Sequence, residues 1–322
     1  MNDLSRYTVY LENQISSLKL ADEPRNLFDP LRYFLSLGGK RMRPILTLIS
    51  GEIFHVPKEE SVHAALCIEL FHNFSLIHDD IMDEAPVRRG KPTVHTKWNS
   101  NIAILSGDVL FVEAYQQLAH YPDHRLPLLL KRFNETAIEV CQGQQLDMDF
   151  ESLTDVSESE YIEMIRLKTS VLLGCALEFG AILGNQDEEA RRNLYEFGVS
   201  LGIAFQIQDD ILDLYGDPDL FGKQVGGDIL SNKKTLLFLK AKEIALKTTD
   251  SRFNKLIQME AANDKLEFAK NLFEEIGAKR ESLQTMNGYY DQAMDNLQRL
   301  EQMGLKTQTL RELAKFLITR EL

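Results

Sequence analysis

Residues 76–92 read LIHDDIMDEAPVRRGKP. Asp79, Asp80 and Asp83 stand there at i, i+1 and i+4, and a helix running to Glu84 gathers all three carboxylates into one sector of its surface. Like charges that close repel, so the cluster gains nothing structurally without a counter-charge. A hard cation such as Mg²⁺ supplies one, because it takes oxygen ligands and is held by one or two carboxylates together with substrate phosphates. Arg88, Arg89 and Lys91 follow the helix stop at Pro86 and suit phosphate oxygens that the metal leaves uncovered. The spacing recurs in 206–213, QIQDDILD, where Asp209, Asp210 and Asp213 precede Lys223, Lys233 and Lys234. A lone carboxylate triad is more often a solvated helix face. Two of identical spacing, each trailed by cations, favour a clamp on metal-bound phosphate.

Both triads sit in helical context, and the helical period holds almost everywhere outward from them. The strand pattern of alternating Val, Ile and Thr between turns is missing. Leu4, Tyr7, Leu11, Ile15 and Leu18 form an opening amphipathic helix. Asp29 and Pro30 read as an N-cap followed by proline at the first helical position, with Gly38 and Gly39 ending that helix. Helices are expected over about 44–54, 60–84, 101–119 and 126–145. The run DMDFESLTDVSESE reads as an acidic break, closed by a Ser157–Glu160 capping box. Helices to about Leu183 and from Asp187 to Tyr215 follow, then a glycine-rich loop over 216–231 and packing helices with breaks near Asp250 and Gly277. The fold class is therefore all-α, one domain over 1–322, a bundle of roughly a dozen helices around a central cavity. In such a bundle the two triad helices are expected to face each other.

Composition narrows the function. Of 322 residues, 44% are hydrophobic, and no linker or low-complexity tract divides the chain. The net charge of -13, from 36 Lys and Arg against 49 Asp and Glu, argues against nucleic-acid binding. Anionic substrates then require local cations or metals, and both are on offer. Cys67, Cys141 and Cys175 make no zinc or disulfide pattern and read as buried small hydrophobes in a reducing compartment. The N-terminus lacks the basic and apolar blocks of a signal peptide, and no apolar run reaches the ~20 residues of a membrane span. The protein is expected to be cytoplasmic, without stable membrane insertion.

GGKRMRP at 38–44, the 76–92 stretch, KTS at 168–170, FQIQDDILD at 205–213, GK at 222–223 and KKT at 233–235 together resemble the trans-isoprenyl diphosphate synthases, or polyprenyl synthetases. One DDxxD also occurs in terpene cyclases; two, with the upstream GGKRxRP and the downstream lysines, are far more specific. The resemblance implies an all-α homodimer that joins an allylic diphosphate to isopentenyl diphosphate and releases pyrophosphate. It implies about three Mg²⁺, with Mn²⁺ as a substitute, on Asp79, Asp80, Asp83, Asp209, Asp210 and Asp213. Ionising the allylic C–O bond builds charge on a multiply anionic leaving group, which metal ions and aimed cations stabilise. By similarity Arg88, Lys168 and Lys223 bind the allylic diphosphate, with Lys233 more peripheral. Lys40, Arg43, His72 and Arg89 form the isopentenyl diphosphate pocket. Thr169 and Gln206 lie near the developing allylic cation. His78 is support, Lys234 solvent-facing, and His95 and Trp98 have no assigned role.

Helical spacing also bears on product length. Phe74 lies five residues before Asp79, Ser75 four and Phe71 eight, so an aromatic ring there stops a growing chain by overlap. In this family the pattern resembles a geranylgeranyl-type synthase, with farnesyl diphosphate the alternative if Phe71 shortens the cavity. A class I terpene cyclase needs no isopentenyl pocket and a silent regulatory subunit has usually lost aspartates; neither fits Lys40, Arg43 and two intact triads.

Overall fold

The computed structural model describes residues 4–216 and 226–319, so Lys223 lies outside the described residues. They are almost entirely helical and group into two compact units. One is built from the described residues of 4–135 and 175–195, the other from those of 136–174, 196–216 and 226–319. No described helix is long and apolar enough to cross a membrane.

The first unit contains α1 (Leu4–Ser16), α2 (Arg25–Ser36), α3 (Met42–Ile53), α4 (Lys58–Met82), a hairpin β1 (Val87–Arg88) and β2 (Lys91–Pro92), α5 (Val94–Lys97) and α6 (Ser100–Leu118). α4 is its axis. Its buried residues run round the whole circumference from Val62 to Asp80 because α3 and α6 cover it on different sides. α2 does not start at Asp29: it begins at Arg25 and carries Pro30 inside, buried with Leu31, Phe34 and Leu35. Asp29 pairs with Arg32 instead of capping, at 3.1 Å. Burial of that apolar face outweighs the local proline signal. His78 stacks edge-on to Phe74 and lies against Gly107 of α6, where a Cβ would come within 2.3 Å of its ring. It is a helix-packing residue.

α7 (Leu126–Ser152), α9 (Val171–Leu183) and α10 (Glu188–Tyr215) contribute residues to both units. The second unit adds α8 (Glu158–Ile165), a π-turn (Arg166–Ser170), α11 (Gly227–Leu230), α12 (Leu236–Thr248), α13 (Arg252–Ile257), α14 (Ala262–Glu275), α15 (Ala278–Gln302) and α16 (Gln308–Ile318). The acidic break is shorter than its composition suggests. Asp147 to Ser152 continue α7, because Phe150 is buried and Asp147 is paired, leaving only 153–157 non-helical before the Ser157–Glu160 capping box. Cys67 and Cys175 are buried as expected, but Cys141 is exposed on α7.

Candidate active site

In the first unit, α4 ends where its carboxylates begin. Asp79 and Asp80 occupy the last turn, and Asp83 caps it, its N–H bonded to Asp79 O at 2.9 Å. The chain then turns back through the hairpin, with Val87 opposite Pro92 and Arg88 opposite Lys91. Arg89 and Gly90 form its two-residue turn at φ 53° and 73°, the left-handed pair such a tight turn requires. The hairpin is pinned from below: Thr93 Oγ1 donates to Ala85 O at 2.8 Å, and Tyr33 Oη donates to Pro92 O at 2.8 Å. Lys97 lies over the Tyr33 ring and beside Trp98, giving Trp98 the anchoring role that sequence alone did not suggest.

This turn returns Arg88 to α4. Its Nε donates to both oxygens of Asp80, at 2.8 and 2.9 Å, and Nη2 approaches Asp79 at 3.5 Å. Asp80 is 1% exposed, and burial pushes its carboxyl up to about 6 although Arg88 pulls the other way. Asp79 is partly accessible and Asp83 exposed. Of the first triad, Asp80 is thus committed to Arg88, Asp79 is mostly buried with 18% of its side chain exposed, and Asp83 is exposed at the helix end.

The basic side of this unit gathers round His72. Arg43 Nη1 lies 3.2 Å from His72 Nε2. Burial, then the fields of Arg43, Arg89, Arg88 and Arg41, hold the His72 ring far below its usual range, so it is neutral and Nε2 accepts from Arg43. Arg89 folds over the turn before α3 and donates to Gly38 O. Glycine suits position 39 because its φ of 147° is one that other residues rarely adopt, and its bare Cα lets the Arg89 guanidinium pack close. Lys40 is exposed beside it. Arg41, between the two cations assigned to substrate, points the opposite way. It is 3% exposed, with Glu12 at 2.8 Å, Glu69 at 2.5 Å and Leu35 O at 2.9 Å as acceptors, a buried network that sets the turn.

One turn further back on α4, Phe74 stacks on Phe111 of α6 with centroids 4.8 Å apart and an interplanar angle of 12°. Phe71 is fully buried against Phe111 and Phe133. Phe74 keeps partial exposure, and Ser75 Oγ donates to His72 O at 2.9 Å.

In the second unit, Asp210 mirrors Asp80. It is 8% exposed, accepts from Tyr161 Oη at Oδ2, and accepts from Gln206 Nε2 at Oδ1 over 3.0 Å. Burial and the neighbouring Asp228 carboxylate push it up to about 7. Asp209 and Asp213 are half-buried, and Asp213 Oδ2 accepts the Asp228 N–H at 3.0 Å. Thr169 Oγ1 lies 3.5 Å from Gln206 Oε1. Lys168 and Thr169 ride on the π-turn, whose extra residue interrupts the α8–α9 register at these two side chains. Lys168 and Lys233 share Asp147, while Lys234 donates to Glu151 O at 3.1 Å near the end of α7.

Asp147, Asp228 and Tyr161 escaped sequence reasoning. Asp228 falls in a stretch that reads as a glycine-rich loop, although it lies in the short helix α11, and Tyr161 in an ordinary apolar position; only GGD at 226–228 following the second triad was available as a signal. Among the described residues no three His, Cys, Asp or Glu side chains converge as a ready-made metal cage. The donor set, the partly accessible Asp79, Asp209 and Asp213 and the exposed Asp83, with guanidinium and ammonium groups nearby in each unit, matches a hard ion completed by phosphate oxygens.

The polyprenyl synthetase family model matches residues 24–276. The chain is 37% identical over 313 residues to a geranylgeranyl pyrophosphate synthase of Geoglobus acetivorans, covering 97% of this chain and 96% of that one. A solved geranylgeranyl pyrophosphate synthase superposes with TM-score 0.92 at 42% identity, over 100% of both chains. The geranylgeranyl pyrophosphate synthetase of Pyrococcus horikoshii Ot3 does so with TM-score 0.91 at 35% identity, over 99% of this chain and 98% of that one. With the family model spanning most of the sequence and these relatives aligned from end to end, the chain belongs to the polyprenyl synthetase family.

Proposed function

We propose that this protein condenses isopentenyl diphosphate with an allylic diphosphate, head to tail, and makes geranylgeranyl diphosphate. The observation that carries this is the end of α4. Within one unit it brings together the partly accessible Asp79 and exposed Asp83, a guanidinium held on Asp80, a cation cluster round neutral His72, and Phe74 upstream on the same helix.

Each part has a chemical task. Lys40, Arg43, His72 and Arg89 take isopentenyl diphosphate through charge-assisted hydrogen bonds that need no metal. Arg88, Lys168, Lys223 and Lys233 take the allylic diphosphate. Asp79 and Asp83, and Asp209 and Asp213, hold Mg²⁺, about three ions in all, with Mn²⁺ able to substitute. When bound, the ions stabilise the charge that the departing diphosphate acquires. Asp80 and Asp210, read from sequence as ligands, serve instead as supports. One fixes Arg88; the other fixes Gln206, whose amide oxygen and the Thr169 hydroxyl offer dipoles to the developing allylic cation. The last proton leaves to pyrophosphate, so no protein base is assigned.

Twenty carbons rather than fifteen is supported by burial. Phe71 is sealed against Phe133, whereas Phe74 retains accessible surface and is the ring that a growing chain meets. The proposed working state is a homodimer, in which Ile104, Leu105 and Val112 of α6, 42%, 58% and 55% exposed, are apolar side chains that a second copy would cover. The test is incubation of purified protein with isopentenyl diphosphate, each allylic starter and Mg²⁺, followed by chain-length analysis of the dephosphorylated products. Geranylgeraniol as the main alcohol supports the assignment; farnesol alone overturns it.

A further inference from the structure

The lysines assigned to the allylic diphosphate converge on a carboxylate that the reaction as described does not use. Lys168 Nζ lies 2.6 Å from Asp147 Oδ2, and Lys233 Nζ lies 3.8 Å from Oδ1, so each oxygen faces one ammonium group. The Asp147 side chain is 14% exposed. Burial pushes its carboxyl up, but Lys233 and Lys168 outweigh that and hold it below the ordinary range.

The surrounding backbone is built to keep this arrangement. Gly143, one turn before Asp147 on α7, lies against the π-turn, where a Cβ would fall 2.2 Å from Lys168 N. On the other side Gly202 of α10 meets Ser170, with a Cβ position 2.8 Å from Ser170 Cα. Lys233 is fixed independently: its N–H donates to Asp228 O at 2.8 Å, and Lys234 Nζ ties the same segment to Glu151 O of α7 at 3.1 Å. Two ammonium groups brought this close repel unless a charge stands between them.

We propose that Asp147 is a positioning residue that holds Lys168 and Lys233 as a pair and surrenders them to the incoming diphosphate. A diphosphate carries more charge than one carboxylate and displaces it as counter-ion. Asp147 then remains as a nearby like charge that weakens retention of the pyrophosphate product. The carboxylate therefore trades anion affinity for lysine geometry. This rests on the assignment of Lys168 to the allylic diphosphate.

The experiment compares the full chain with Asp147→Asn, Asp147→Glu and Lys168→Ala, measuring kcat, both KM values and calorimetric binding of inorganic pyrophosphate with Mg²⁺. Asp147→Asn is expected to bind pyrophosphate about fivefold or more tighter, because one negative charge is gone. Its kcat is expected to fall at least about tenfold, since the lysines are no longer registered. The KM for isopentenyl diphosphate should stay within about twofold. Simple misfolding weakens binding and turnover together, so opposite movement separates the two causes. Asp147→Glu keeps the charge but moves it by one methylene, and is expected to show wild-type pyrophosphate affinity with reduced kcat. If Asp147→Asn does not fold, unchanged kcat in Asp147→Glu overturns the proposal. If Lys168→Ala weakens pyrophosphate binding while Asp147→Asn behaves as wild type, the role of Asp147 is wrong and the site stands. If Lys168→Ala changes nothing, the allylic assignment itself fails.

Discussion

Arg88 Nε donates to both carboxylate oxygens of Asp80, at 2.8 and 2.9 Å, and this contact joins the hairpin to the end of α4. The guanidinium is thereby aimed before any substrate arrives. Arg88→Ala is expected to lower kcat/KM for the allylic diphosphate by about a hundredfold. It should also cost roughly 1–3 kcal/mol in urea unfolding, because Asp80 is left buried without its donor. Arg88→Lys keeps the charge and loses the fork, so steady-state kinetics should place it between the two.

Asp79 and Asp80 are neighbours with different tasks. Asp79→Ala is expected to reduce turnover at least about a thousandfold while circular dichroism and unfolding stay near wild type. Asp80→Asn, which keeps a hydrogen-bond acceptor for Arg88, should lose far less activity, about tenfold. Equal losses in the two variants would sink the division of labour between ligand and support.

Phe74 and Phe71 separate specificity from stability. Phe74→Ala is expected to shift the products toward longer chains, read by chromatography of the dephosphorylated alcohols. Phe111→Ala removes the ring stacked on Phe74 and should broaden the distribution without a single new product. Phe71→Ala, at a fully buried position, is expected to cost about 3–5 kcal/mol.

The helical period and the two aspartate spacings made the fold class and both carboxylate groups legible from sequence. What was hidden depended on contacts with no period. Hairpin register decides that Arg88 meets Asp80 while Arg89 turns to Gly38, and nothing in VRRGKP announces it. Asp147 lies in a run so acidic that it reads as a break, yet one face of that run is docked on Lys168 and continues the helix. The π-turn carrying Lys168 looks like ordinary helix in sequence. Its only trace is glycine at positions 143 and 202, where two helices need to approach it closely. Arg41 shows the reverse case, a cation within a cationic motif that is wholly structural.

The raised carboxyls of Asp210 and Asp80 fix the sign of a pH effect. Asp210 stands at about 7 and Asp80 at about 6 in the folded chain, against 3.8 for an ordinary aspartate. Between those values the folded protein holds protons that the unfolded chain has released. Stability without divalent metal is therefore greatest at low pH in this window and is lost as pH rises through 6 and 7, by a few kcal/mol in order of magnitude. Urea unfolding in chelator from pH 5.5 to 8.5 should show this decline. Asp210→Asn, which cannot ionise and still accepts from Tyr161, should flatten it. Tyr161→Phe removes a donor that favours the charged form, so the decline should extend to higher pH before it levels off. Catalysis runs the other way, since metal-bound diphosphate favours ionised carboxylates, and kcat/KM should rise over the same interval. A wild-type stability that climbs with pH in chelator would mean that Asp210 is ionised in the folded chain.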